Sequence, residues 1–286
     1  MKKLIFCSYS CVYSSLVLQK ILENSQIEVV AIINSTRILH PEYGALKGSL
    51  KQIQQSGWRY SSYLFFITDL FSWGQAFFSL KKSSLKTIQQ LARQHKIPII
   101  NTKNINTPES VDYIRKLQAD FLLAAHFNQL IKPEILEIEQ LQCLNIHPSL
   151  LPSFKGVDPV FYAMLKNKKT LGVSLHRMSE RFDSGEILLQ DEIHLDNRQN
   201  SHQSRSTQCL FSINCKLFSK GAELAVAWIN KMDKTQNQTR HTTCKNNEGD
   251  YDSWPGVADI DKFRQSKKKL LCLSDYLRSV LSGRLP

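Results

Sequence analysis

The sequence predicts an α/β fold: a doubly wound, mostly parallel sheet followed by a short C-terminal helical extension. Three observations predict it. Short apolar runs recur along the first two thirds of the chain, apolar residues at helical spacing lie between them, and polar or turn-forming residues bound each run. Strands covered on both faces read as continuous apolar runs, whereas strands with one wet face alternate, so these runs favour parallel strands sandwiched by helices.

Taken in order, Leu4–Cys7 predicts the first strand, and this apolar stretch is too short for the hydrophobic region of a signal peptide. Val17, Leu18, Ile21 and Leu22 recur at helical spacing before a second strand at Val29–Ile33. A helix near Leu85–Gln94 leads to a strand at Ile97–Ile100, which Pro98 marks as short or at the sheet edge. A helix follows at about Pro108–Leu117, and Phe121–Ala125 and Cys143–Ile146 read as central strands. Beyond them come a helix at Pro159–Leu165, strands at Val173–Arg177 and Ile187–Ile193, and a long helix from roughly Ser204 to Ile229. Residues 1–230 thus form one domain, and in such sheets ligands collect beyond the carboxyl ends of the strands.

Two segments stand apart. Residues 58–80 are dense in aromatics, including Trp58, Tyr60, Tyr63, Phe65, Phe71 and Trp73, within an insertion of about 41–84. Asp69 near the middle argues against a bilayer span, since a charge in lipid is costly. Two readings stay open: an element packed on the domain, or one that associates with a membrane surface or a partner. Residues 231–250 are dominated by Asn, Gln, Thr and Lys and read as a polar linker. Helical spacing at Val257, Ile260 and Phe263, then at Leu270, Leu277 and Val280, makes 251–286 a small helical tail.

A formal charge of +12 suits polyanionic partners such as nucleic acid or nucleotide-linked substrates, or simply keeps the protein soluble. The seven cysteines are an odd set with no Cys-x-x-Cys pair, so neither a disulfide framework nor a zinc site is indicated, and a reducing cytoplasm fits best. No metal is expected.

The chemistry concentrates where the strand ending at Ile146 meets a turn shaped by Pro148, Pro152 and Gly156. Asn145 and His147 are two apart, so in a strand their side chains share one face at its carboxyl end. Asp183, on the turn Arg181-Phe182-Asp183-Ser184-Gly185, can be carried back towards the histidine. Asp158 before Pro159 reads as a helix cap, while His176 and His194 read as ordinary core or surface histidines.

The pattern Asn145, His147, Ser149-Leu150-Leu151-Pro152, Gly156, Asp183 and Gly185 resembles the folate-dependent formyltransferases that act on glycinamide ribonucleotide, methionyl-tRNA and amino sugars. The resemblance covers roughly 1–230 as a formyltransferase-like Rossmann fold, with specific motifs between about Asp120 and Ile193. It implies that Asn145, His147 and Asp183 are catalytic and that the donor is 10-formyltetrahydrofolate. It also implies a donor site at Phe127, Asn128, Gln129, Leu130, Ile131 and Ser149, because Ala124–Pro133 is similar to the family segment whose backbone lines the pterin pocket. His126 beside it is a candidate for substrate contact.

In such a reaction the amine attacks the formyl carbon, Asn145 donates to the oxyanion, His147 donates or moves a proton, and Asp183 orients the imidazole and accepts the amine's proton. The first loop, Ser8–Ser15, lacks the glycine of the glycinamide ribonucleotide enzymes, and residues 231–286 look too few for the barrel of the methionyl-tRNA enzymes. The acceptor is expected to be methionyl-tRNA-like or a nucleotide-linked amino sugar. A formyltetrahydrofolate hydrolase, or a relative that binds folate or a partner without turnover, are the alternatives.

Overall fold

Seven strands form the central sheet in the order β3-β2-β1-β4-β5-β7-β8 in a computed structural model that describes residues 1–37, 44–78, 85–195, 209–232, 251–283 and 285. The strands are β1 (Lys2–Ser8), β2 (Ile27–Ser35), β3 (Ile99–Thr102), β4 (Phe121–Ala125), β5 (Gln142–His147), β7 (Thr170–Arg177) and β8 (Ile187–His194). A two-residue strand β6 (Lys155–Gly156) lies outside the sheet. β1 to β5 run parallel, and β7 and β8 add antiparallel at one end, so the doubly wound, mostly parallel reading holds. The proline-bearing strand is indeed at an edge, shifted by two residues: Pro98 precedes β3 and its carbonyl accepts from Ile32 N–H at 2.9 Å.

Alternation along β1 separates two apolar layers. Leu4 and Phe6 enter the larger core with α1 (Val12–Leu22) and α8 (Leu210–Lys231), while Ile5 and Cys7 enter a smaller one with Val111 and Ile114 of α5 (Pro108–Leu117). Local chemistry fixes the helix starts. Cys11 accepts from Ser14 N–H at the start of α1, Thr87 and Gln90 form a capping box on α4 (Ile88–His95), and Thr107 caps α5 with Pro108 in its first turn. A four-residue helix α6 (Pro133–Leu136) joins β4 to β5, and α7 (Pro159–Leu165) starts at Asp158 as its sequence suggests.

The aromatic insertion packs on the domain. Its helix α2 (Gly44–Phe65) is interrupted at Gly57, whose φ of 75° lies in the left-handed region, and a π-helical turn at Phe66–Leu70 leads into α3 (Phe71–Phe78). Tyr60, Tyr63, Ile67 and Phe71 are buried in the larger core, while Trp58 and Trp73 are 64% and 61% exposed. No described helix is long and apolar enough to cross a membrane.

The tail supplies β9 (Tyr251–Asp252), which pairs in parallel with β6, then α9 (Val257–Gln265) and α10 (Leu273–Ser282). Ile260, Phe263, Tyr276 and Val280 are buried in the same core as α1 and α8. The Phe263 ring stacks 4.6 Å from that of Phe161, and full burial of a ring of this size stabilises by about 1.5–3 kcal/mol. Residues 233–250, read as the polar linker, and Ser204, the expected start of the long helix, lie outside the described residues, as do the outer parts of the insertion at 41–43 and 79–84.

Candidate active site

β5 delivers Asn145 and His147 to the carboxyl end of the parallel strands, and the register of the antiparallel pair places His176 of β7 opposite Asn145. The Asn145 Nδ2 to His176 Nε2 distance is 3.0 Å, and His176 Nδ1 lies 2.7 Å from the Arg177 carbonyl oxygen. These partners select one tautomer: Nδ1–H donates to Arg177, and the Nε2 lone pair accepts from the Asn145 amide. Burial supports the neutral ring, lowering the His176 pKa to about 4. One amide hydrogen of Asn145 is thereby fixed on His176, and the other is aimed away from it. Sequence reading missed this partner, because residue spacing does not reveal which residue of an antiparallel neighbour faces Asn145.

His147 Nδ1 is 3.3 Å from Asp183 Oδ1, and its Nε2 is 3.0 Å from the Phe154 carbonyl oxygen. The two side chains are 6% and 9% exposed, so little water screens the pair. Both ring nitrogens face acceptors, so the ring makes both bonds only while it carries two protons. The second oxygen of Asp183 accepts from Gly156 N–H at 3.0 Å, and Asp183 Oδ1 also lies 3.9 Å from His176 Nε2. The structure brings Asn145, His147 and Asp183 together as the sequence predicts, and adds His176.

Asp183 sits at φ 51°, a left-handed conformation that a non-glycine residue adopts at a local cost. Two glycines hold its surroundings. A Cβ on Gly185 would lie 1.8 Å from the Arg177 carbonyl oxygen, and one on Gly156 would lie 2.0 Å from the Asp252 carbonyl oxygen. Both obstacles are backbone. Gly185→Ala should therefore push the turn off β7 and move Asp183 from His147, lowering turnover at least about tenfold at unchanged far-ultraviolet circular dichroism. Wild-type turnover in that variant would show that the turn tolerates the shift.

A cavity of about 930 Å³ opens on these groups, at the upper end of small-molecule sites. Phe127, Asn128, Gln129, Leu130 and Ile131 line it. The amide of Asn128 accepts from Ser35 Oγ at 2.5 Å and donates to the Arg37 carbonyl at 3.0 Å, and that of Gln129 accepts from Ile105 N–H at 2.7 Å. Both amides thus hold the loop in place. Ser149 departs from the expectation that it touches the donor. It does not line the cavity; it is buried beneath the turn, where its hydroxyl donates to the Ser153 carbonyl at 2.9 Å. His126 does line the cavity, and its Nδ1 is buried with no protein partner.

The insertion forms another wall, through Tyr60 and Tyr63 among others. Tyr60 donates to Asp158 at 2.7 Å, and the hydroxyls of Tyr63 and Tyr13 are 2.6 Å apart. Asp158 is therefore more than the cap of α7, where it accepts from Phe161 N–H at 3.3 Å: it also anchors the insertion. Burial raises its pKa to about 6.

Asp158 and His176 give opposing pH terms. The folded pKa of His176 lies below its unfolded value near 6.5, so the unfolded chain takes up the proton first and stability falls as pH drops from 6.5 to about 4. Asp158 is raised from 3.8 to about 6, so the folded chain takes up the proton first and stability rises as pH drops through the same window. The two terms therefore oppose each other across nearly the same pH range. Asp158→Asn removes one term, and its thermal midpoint should fall more steeply than that of the wild type between pH 6.5 and 4. Parallel curves would contradict the assignment.

Away from the cavity, the sequence spacing of the cysteines hides a cluster: donor atoms of Cys209, Cys272 and Asp275 lie within 4.8 Å of one another. Ser212 Oγ is 2.9 Å from Cys209 Sγ and donates to Asp275 at 2.6 Å, linking the starts of α8 and α10. His194 is an exposed partner of Glu192 at 3.3 Å.

Known proteins resemble this chain in sequence and in fold. Residues 51–210, more than half of the chain, match the family described as formyl transferase. The chain is 36% identical over 137 residues to the bifunctional polymyxin resistance protein ArnA of Wigglesworthia glossinidia brevipalpis, an alignment covering 48% of this chain and 20% of that protein. It is 27% identical over 169 residues to methionyl-tRNA formyltransferase of Clostridium perfringens, covering 57% of this chain and 52% of that protein. It thus spans about half or less of the curated relatives it matches. In fold it is similar to phosphoribosylglycinamide formyltransferase from Bacillus halodurans, with TM-score 0.54, 19% identity, and coverage of 83% of this chain and 98% of that one. It is also similar to WlaRD, a sugar 3N-formyl transferase solved with dTDP and 5-N-formyl-THF, with TM-score 0.52, 19% identity, and coverage of 88% and 70%. With the sheet, the Asn145–His147–Asp183 cluster and the sequence match in accord, the chain belongs to the formyl transferase family.

Proposed function

We propose that the chain transfers a formyl group from 10-formyltetrahydrofolate to a primary amine. The observation that carries the reading is the meeting of an oriented amide donor, an imidazole and a held carboxylate at one end of a roomy cavity. Attack of the amine on the formyl carbon puts negative charge on the formyl oxygen and positive charge on nitrogen. Asn145, fixed by His176, presents its second amide hydrogen to the oxygen, a contribution that is greatest where the donor is already positioned. Asp183, fixed by Gly156 N–H, takes the proton from nitrogen and shares it with His147 Nδ1. The bond from the formyl carbon to the folate nitrogen then breaks, and that nitrogen recovers a proton as tetrahydrofolate leaves. The donor enters along residues 127–131, where both side-chain amides are already committed to the protein and main chain and apolar surface are left to receive a pterin.

Acceptors in keeping with this reading are nucleotide-linked amino sugars and methionyl-tRNA. The first loop, which lacks glycine, presents Tyr9 and Tyr13 to the cavity and ranks glycinamide ribonucleotide lower. The reaction belongs in the cytoplasm, in line with an odd cysteine set that has no pairing framework. To test the reading, the purified chain is mixed with 10-formyltetrahydrofolate and either initiator methionyl-tRNA or a panel of nucleotide-linked amino sugars, and products are weighed by mass spectrometry. A gain of one formyl group on an amine is expected. Formate as the only product would make the chain a hydrolase, and donor binding without turnover would make it a non-catalytic relative.

A further inference from the structure

The residues that line the cavity and are also exposed define its mouth, and they include six large apolar side chains. Ile53, Trp58 and Phe65 come from the insertion, Val157 from the turn after β6, Phe182 from the turn beside Asp183, and Tyr251 from the tail. Their exposures run from 36% to 64%. They extend in pairs: Phe65 meets Trp73 at 5.7 Å between ring centroids, and Phe182 meets Tyr251 at 6.4 Å. An apolar rim of this kind around the mouth of a cavity marks a surface meant to be covered. Aromatic residues with wet edges are also those that settle at the boundary between lipid headgroups and acyl chains.

Charge selects what covers it. Among the described residues of the insertion, Lys47, Lys51 and Arg59 stand against a single acid, Asp69. Arg59 lies over the Trp58 ring at 4.9 Å, and Arg37 and Arg181 are exposed on the cavity lining, with Glu180 as the acid beside Arg181. A whole-chain charge of +12 adds long-range attraction to an anionic surface. We propose that the cavity mouth seats on an anionic lipid surface, with Trp58, Phe65 and Trp73 dipping into the interface and the basic residues against the headgroups. The element lies on the surface and does not span it, as the absence of a spanning helix among the described residues and the exposed Asp69 both require.

The test measures docking without turnover, so that it stands or falls apart from the enzymatic reading. The purified chain is cosedimented with vesicles of phosphatidylcholine alone or with one third phosphatidylglycerol, at low and at physiological salt. Binding to the anionic vesicles, with a blue shift of tryptophan emission, is expected. Trp58→Ser with Trp73→Ser should weaken it at least tenfold at an unchanged thermal midpoint, since both side chains are already in water. Lys47→Gln with Arg59→Gln should weaken it by roughly fivefold per cation removed. Failure to bind anionic vesicles at low salt would overturn the proposal. So would a stable dimer at micromolar concentration that Trp58→Ser dissociates, because the rim would then be covered by a second copy.

Discussion

Asp183→Asn should lower kcat for formyl transfer by about a thousandfold, within the range of 10²–10⁴ seen when a positioned acid or base is removed. The substitution preserves shape. An asparagine oxygen can still accept from Gly156 N–H, which now meets Asp183 at 3.0 Å, so the turn should remain closed. What disappears is the group proposed to take the proton from the attacking amine. The amine then sheds it to water in a site where Asp183 and His147 are under one tenth exposed, and the tetrahedral species reverts before the proton leaves. Single-turnover kinetics with saturating donor would measure this directly, and turnover within tenfold of the wild type would place the base elsewhere. KM for the donor should change little, because Asp183 is not on the segment assigned to hold it.

Asn145→Ala should cost about 10²–10³ in kcat, the usual effect of deleting one donor to an oxyanion. The loss has two parts that a double substitution separates. Alanine removes the hydrogen aimed at the formyl oxygen, and it strands His176 Nε2, which is buried and accepts from Asn145 at 3.0 Å. An orphaned buried acceptor costs about 1–3 kcal/mol of stability. On the proposal that His176 positions Asn145, the pair should be non-additive: Asn145→Ala with His176→Ala should be hardly slower than Asn145→Ala alone. His176→Ala alone should lower kcat with little change in KM, and His176→Asn, which keeps an acceptor near the amide, should recover part of it. Additive losses in the double variant would mean that His176 touches the substrate itself.

The sheet and the shared face of Asn145 and His147 were legible because they rest on short-range patterns. Leu4–Cys7, Val29–Ile33 and Phe121–Ala125 are continuous apolar runs, and Asn145 and His147 share a face by simple alternation. Three features were not legible, each for a physical reason. His176 depended on the antiparallel register of β5 and β7, which no local spacing encodes. The orientation of the insertion was hidden because Gly57 resets the helical phase within α2, so its apolar residues do not follow one 3.6-residue repeat. Tyr60 and Tyr63 consequently looked no different from Trp58, although the first two meet Asp158 and Tyr13 and the third faces water. β9 is two residues long and carries no periodicity at all, so residues 251–286 read only as a helical tail.

That short strand sets when the turn beside Asp183 can be completed. Lys155 and Gly156 pair with Tyr251 and Asp252, and Val157 N–H donates to the Asp252 carbonyl at 3.0 Å. Gly156 in turn supplies the bond that holds Asp183. On a ribosome the sheet can close once β8 has emerged, but the turn facing Asp183 has no partner until residue 252 is outside the exit tunnel. The central sheet therefore closes first, and the turn that holds Asp183 is completed only after residues 251 and 252 have joined it.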